Sequence, residues 1–181
     1  MDTLARRAER WIAPYRNARH LERARDWLLV LDPDASEALV LAALTHDMER
    51  HFPGGPTMEP GTMAPDDEPY RRAHSERSAR IVGEWLRDQG ADPALAADVE
   101  RLVLAHEVGG SVDEDVLQAA DSLSFLEVNG ELVADWYRAG RCDRDRARAQ
   151  LDYMFGRIRL ERARELARPL YEQALVTVDA A

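Results

Sequence analysis

Four of the five histidines in this chain fall on the apolar faces of separate helices. Any fold it adopts must therefore bury several imidazoles where each finds a partner. His20 shares a face with Ala24, Trp27 and Leu31, and His46 follows Leu39 and Ala42 on a helix apolar enough to be central. His74 lines up with Ser78, Ile81 and Trp85, while His106 follows Leu95, Val99, Leu102 and Val103. Asp121 stands between Leu117 and Phe125 at the i−4 and i+4 positions, an unfavourable place for a carboxylate without a partner. Taken singly, each has an ordinary explanation: a lone inward histidine is more often a hydrogen-bonded core residue, and one inward aspartate can pair with an arginine. Taken together they favour one centre, because a single site satisfies five helices that each bury a group with metal-ligand chemistry.

Helical periodicity dominates and no segment sustains strand-like alternation, so the fold class expected is all-α. Asp92-Pro93 places a cap before a proline at the first helical position, Ser111 and Glu114 have capping-box spacing, and Gly90, Gly130 and Gly140 sit where helices can end. The pattern predicts helices near 3–13, 17–31, 34–51, 68–89, 93–107, 112–127, 130–139, 143–155 and 157–177. Between Phe52 and Pro65 the chain reads FPGGPTMEPGTMAP, which no helix survives. A loop this long inside a compact domain is usually functional or disordered, and an active-site cover and a plain surface loop stay equally open.

Length and charge narrow the class further. At 181 residues the chain suits a single domain spanning 1–181. The formal net charge of −10 argues against broad nucleic-acid binding, which needs a basic footprint. The longest apolar run, Ala38 to Leu44, is too short to cross a bilayer, and the N-terminus lacks a signal-peptide core. With Cys142 as the only cysteine there is no internal disulfide, and a cytoplasmic protein is expected. All 24 basic residues are arginine, so no lysine is available as a base or Schiff-base former. Trp11, Trp136 and Tyr171 are candidates for a homodimer interface, although scattered aromatics are usually core.

Neutral imidazoles with carboxylates suit first-row divalent metals, one or two ions of Mn, Fe, Co, Ni or Zn. His46 and Asp47 are adjacent, and helical neighbours diverge by about 100°. Both reach one centre if the metal sits off the helix edge, with the carboxylate free to bridge to a second ion.

The order His, His-Asp, His, His, Asp resembles the HD superfamily of metal-dependent phosphohydrolases. It is carried by RHLERA around His20, ALTHDMER around His46 and Asp47, AHSERSA at His74, LVLAHEVGG at His106 and LQAADSLSFLE at Asp121. The closest resemblance is to the bacterial HD hydrolases that split dinucleoside tetraphosphates symmetrically. It covers roughly residues 18–127 and implies an HD-type helical bundle, with 18–127 as metal-binding core and 128–181 as a C-terminal helical extension. It also implies hydrolysis of a phosphoester or phosphoanhydride in a small, nucleotide-like phosphorylated substrate. His20, His46, Asp47 and Asp121 would form the core metal site, with Asp47 bridging if two ions bind. His74 and His106 would complete a second metal position or hold the substrate phosphate. Where many members carry a lysine three residues after the Asp of the HD pair, this chain has Arg50. Arg50, and Arg23 one turn from His20, are the candidates to meet charge on the phosphate. His51 is a candidate to protonate a leaving group, against the plainer reading of a solvated loop histidine. In the Arg-rich tail, Arg157 is the one arginine considered as pointing inward, the others reading as exposed partners of glutamates. Two rival readings stand beside this. One is an HD-fold di-iron oxygenase, disfavoured because those enzymes grip substrate with a lysine; the other is a non-catalytic interaction or sensing module, disfavoured because every ligand is present.

Overall fold

Helix starts in this chain are set by side-chain caps. Thr3, Ser36, Asp67, Asp92, Ser111 and Asp143 each accept a hydrogen bond from a backbone N–H of the turn that follows, satisfying donors that a helix cannot satisfy internally. Ser111 and Glu114 form the full reciprocal capping box. The computed structural model describes residues 2–181. Among these it contains helices and no strand: α1 Leu4–Ile12, α2 Ala18–Leu31, α3 Glu37–Thr45, a short 3₁₀ turn Met48–His51, α4 Glu68–Asp88, α5 Pro93–Ala105, α6 Val112–Val128, α7 Gly130–Arg138, α8 Arg144–Gly156 and α9 Glu161–Asp179.

Three departures from the sequence expectation have local causes. The continuous helix expected over 34–51 does not form. Thr45 Oγ1 donates to Leu41 O at 2.7 Å, a back-bond of the kind that bends helices. The carbonyl of His46 is then taken by the Ser78 hydroxyl on α4, and the chain tightens into the 3₁₀ turn, with Arg50 N donating to Asp47 O at 3.1 Å. α5 stops at Ala105 rather than at 107, because Gly109 takes a φ of +69° and its N–H closes onto Ala105 O at 2.7 Å. Finally, the last helix begins at Glu161 rather than at 157, which leaves Arg157 as the C-cap of α8.

The apolar interior has two regions that meet at α6. Val116, Leu117 and Ala120 belong to the region shared with α1–α5, whereas Ala119, Leu123 and Leu126 belong to the region shared with α7–α9. Trp27, Leu31 and Leu160 pack against both. The result is one all-α domain with α6 running through its middle and α3 buried beside it. No described helix is long and apolar enough to cross a membrane. The aromatics considered for a dimer interface are engaged within the chain: Trp11 stacks on Trp85 at 4.6 Å and Tyr171 on Phe155 at 4.7 Å, while Trp136 lines the cavity described below.

Leu123 is fully buried on the helix that joins the two regions. Leu123→Ala is expected to lower unfolding free energy by about 2–5 kcal/mol, read as a shifted denaturant midpoint with an unchanged slope.

Candidate metal centre

Five helices and one turn bring six ligand-type residues together. His20 comes from α2, His46 and Asp47 from the break after α3, His74 from α4, His106 from the C-terminus of α5, and Asp121 from α6. None is more than 8% exposed. The helix break resolves the geometry of the adjacent pair. His46 keeps helical dihedrals, but Asp47 turns to φ −102° and ψ 7°, so the two side chains need not diverge as they would on a continuous helix.

The histidine tautomers follow from what each Nδ1 faces. His46 Nδ1 lies 3.0 Å from Ala43 O, His106 Nδ1 2.6 Å from Val103 O, and His74 Nδ1 2.8 Å from Glu49 Oε1. His20 Nδ1 lies 2.9 Å from Ser124 Oγ, whose own proton is committed to His20 O at 2.6 Å. All four partners can only accept at that contact, so every Nδ1 carries the hydrogen. In a neutral ring that leaves Nε2 with a free lone pair, the arrangement that outer partners impose on metal-binding histidines.

The Nε2 atoms converge. His20 Nε2 is 3.1 Å and His46 Nε2 3.4 Å from Asp121 Oδ1, and His74 Nε2 is 2.9 Å from Asp47 Oδ1. Those of His46, His74 and His106 are buried yet make no hydrogen bond. Spacings of this size are what neighbouring ligands have when each lies about 2.0–2.2 Å from a common ion. Two groups of three ligand atoms are close enough to hold an ion: His20, His46 and Asp47, and then Asp47, His74 and His106, with Asp47 common to both. The residues present therefore fit a metal ion, and the orphaned nitrogens are the observation that tests the fit.

The electrostatics agree. Burial alone would raise Asp121, but Arg157 and the imidazoles of His46 and His20 outweigh it and hold the carboxyl well below its usual range. Asp47 is likewise depressed against its burial by Arg50, His74 and His46. Burial would lower His46, yet Asp121 and Asp47 raise it. His74, lowered by burial and by Arg50, is raised on balance by Asp47 and Glu49. His106, dominated by burial, is pushed down to about 4 and stays neutral. A divalent cation bound here would add positive charge beside the two carboxylates.

Around these six residues lies a ring of partners. Arg50 Nε is 3.0 Å from Asp47 Oδ2, and its guanidinium reaches the hydroxyl of Tyr70, whose ring stacks parallel to His74. Arg157 bonds Asp121 Oδ2, reaches Glu107 Oε2 at 2.7 Å, and donates from Nε to Ser122 Oγ at 2.8 Å. Glu49 carries a second partner besides His74: Arg77 Nη1, 2.8 Å from Oε2. The other proposed charge carriers lie elsewhere. Arg23 is paired with Glu127 and Asp26, both at 2.9 Å, and His51 is exposed, edge-on to Tyr15 and Phe52. Neither lines the cavity. Glu49, Tyr70, Glu107 and Ser124 were not singled out from sequence; Glu49 and Glu107 do stand within two residues of a ligand.

A cavity of about 720 Å³ opens onto this centre. His20, Asp47, Arg50, Asp121 and Arg157 form part of its lining, and Gly54 to Met58 and Pro65 of the Pro/Gly segment line it as well. Arg77 anchors the start of that segment by donating to Pro53 O at 2.8 Å. Gly55 lies against the ends of the Arg77 and Glu49 side chains, which a Cβ would displace. Further along, Gly61 packs directly on the carbonyl of Arg141. The segment thus forms part of the cavity wall.

The fold and this cluster define an all-α protein with a buried His/Asp centre compatible with an HD-like metal site. The chain belongs to the family described as a domain of unknown function (DUF4202), whose model matches residues 6–173. No curated protein and no solved structure matches it.

Glu49 orients His74 by accepting from its Nδ1, without being a ligand candidate itself. Glu49→Gln is expected to weaken divalent-metal affinity by about 10–100-fold, measured by competition with a chromophoric chelator; unchanged affinity would show that His74 needs no carboxylate behind it.

Proposed function

We propose that this protein is an HD-type phosphohydrolase that uses one or two divalent transition-metal ions, Mn, Fe, Co, Ni or Zn, to cleave a phosphoester or phosphoanhydride with water. The observation that carries the reading is the set of Nε2 atoms opposite four committed Nδ1 hydrogens, three of them without a hydrogen bond, gathered with Asp47 and Asp121 beside an open cavity. His20, His46, Asp47 and Asp121 would hold the first ion, and Asp47, His74 and His106 the second. Residues 18–127 would be the metal-binding core and 128–181 the extension that completes the cavity.

The metal, when bound, lowers the pKa of a water and polarises a phosphoryl oxygen. The chain's own residues do the rest. Arg50, exposed at the cavity surface beside Asp47, meets negative charge on the non-bridging oxygens. Tyr70 steadies Arg50, and Glu49 holds the ring of His74. Arg157 neutralises Asp121 and Glu107 at the cavity wall, so that their combined charge does not repel the anionic substrate. The water oxygen bonds to phosphorus as the phosphorus–leaving-group bond breaks, and one water proton ends on the departing oxygen or in solvent.

Protein purified without chelator is expected to carry near-stoichiometric metal and to release phosphate from model phosphate esters. Asp47→Ala should lose both. Arg50→Ala should keep the metal and lose about a hundredfold to a thousandfold in kcat/KM. Phosphate release that survives chelation would contradict the reading, and iron with oxygen uptake but no phosphate release would favour the oxygenase.

A further inference from the structure

We propose that Glu107 is a seventh metal ligand, a carboxylate that joins His74 and His106 at the second ion position from the cavity side. The inference rests on the metal-binding part of the reading above, and not on the reaction or its substrate.

His106-Glu107 repeats the local structure of His46-Asp47. Each histidine is the C-cap of its helix, α3 or α5, with helical dihedrals: φ −53° and ψ −32° at His46, φ −57° and ψ −30° at His106. Each Nδ1 faces the carbonyl three residues earlier, Ala43 O at 3.0 Å and Val103 O at 2.6 Å. An acidic residue follows at once and is buried, Asp47 with 8% and Glu107 with 9% of its surface exposed. Both helices end at this point, so the acid need not diverge from its histidine as it would on a continuous helix. Gln118 on α6 fixes the second of these turns, its Nε2 donating to Glu107 O at 3.1 Å.

The carboxylates also divide their oxygens alike. Asp47 gives Oδ2 to Arg50 Nε and turns Oδ1 to His74 Nε2. Asp121 gives Oδ2 to Arg157 and turns Oδ1 to His20 Nε2 and His46 Nε2. Glu107 gives Oε2 to Arg157 Nη1 at 2.7 Å and turns Oε1 to His106 Nε2 at 3.8 Å. A single guanidinium thus holds the outer oxygens of Asp121 and Glu107, one carboxylate for each ion position.

The contact between Glu107 and His106 lacks a hydrogen. Nδ1 of His106 carries the ring proton, so Nε2 and Oε1 present lone pairs to each other. That nitrogen is buried and makes no hydrogen bond. A cation between the two satisfies both. Atoms that each lie about 2.0–2.2 Å from one ion are at most about 4.4 Å apart, a limit that the observed spacing meets. Glu107 also lines the cavity, so a ligand at this corner leaves the ion reachable from it.

The test is a Mn²⁺ titration of the full chain after chelator treatment, followed by calorimetry. Glu107→Gln keeps an oxygen that can accept from Arg157 and removes the ligand charge. The unmodified protein is expected to take up two ions. In Glu107→Gln the ion at His20, His46 and Asp121 should bind as before, and the other at least tenfold more weakly. Co²⁺ in place of Mn²⁺ gives a second readout, because its visible absorption shifts when a ligand atom is exchanged. Should Glu107→Gln fail to fold, Glu107→Asp, which keeps the charge and withdraws the oxygen, is expected to show the same weakening. Unchanged affinities and an unchanged Co²⁺ spectrum would overturn the assignment, whatever happens to the melting temperature of the metal-free protein, and leave Glu107 as a partner of Arg157 alone. A single bound ion that is indifferent to the substitution would overturn it too, with the metal centre still standing. The expected weakening without phosphate release from any ester would support the ligand and contradict the phosphohydrolase reading.

Discussion

Two carboxylates and four imidazoles share a water-poor interior, and their mutual compensation sets where the surrounding helices can lie. An isolated buried carboxylate costs several kcal/mol, and Asp47 and Asp121 avoid that cost in different ways. Asp121 is clamped by Arg157 on one oxygen and approached by His20 and His46 on the other. Asp47 is held by Arg50 on one oxygen and approached by His74 on the other. The contacts span α2, α4, α6, the break after α3 and the C-cap of α8. Displacing any one of these elements would strand a charge.

The break at Thr45 is the local event on which the centre turns. An unbroken helix would carry His46 and Asp47 apart and continue Met48 and Glu49 around the cylinder. The back-bond of Thr45 and the hydroxyl of Ser78 end the helix instead, and the 3₁₀ turn swings Glu49 behind His74 and against Arg77. Arg77 in turn holds the start of the Pro/Gly segment. One short turn thereby links a ligand histidine, its carboxylate partner and the wall of the cavity.

Much of this was legible in the sequence because it depends on local chemistry. Caps such as Asp92 and Ser111, helical periodicity, and polar residues on apolar faces gave the all-α fold and drew attention to the six residues that now cluster. What stayed hidden depends on tertiary partners. Nothing local to ALTHDMER reveals that Ser78, more than thirty residues on, takes the His46 carbonyl. Arg157, the one tail arginine considered as inward-pointing, does turn inward as the C-cap of α8, but the non-helical residues 157–160 that place it there were obscured by helical periodicity through the Arg-rich tail. Arg23 looked well placed one turn from His20, but Glu127 on α6 and Asp26 hold it. In a chain with so many arginines, a position along the helix says little about which carboxylate each one finds.

The central claim is that the four Nε2 atoms and two carboxylates face metal. Crystals grown with manganese and measured for anomalous scattering test it most directly. The expected result is one or two anomalous peaks within bonding distance of Nε2 of His20, His46, His74 and His106, with Asp47 between them if there are two. Ordered protein with no anomalous peak at this position, and Nε2 atoms hydrogen-bonded to Asp47 and Asp121 instead, would mean that the cluster is a buried ion-pair network and not a metal centre.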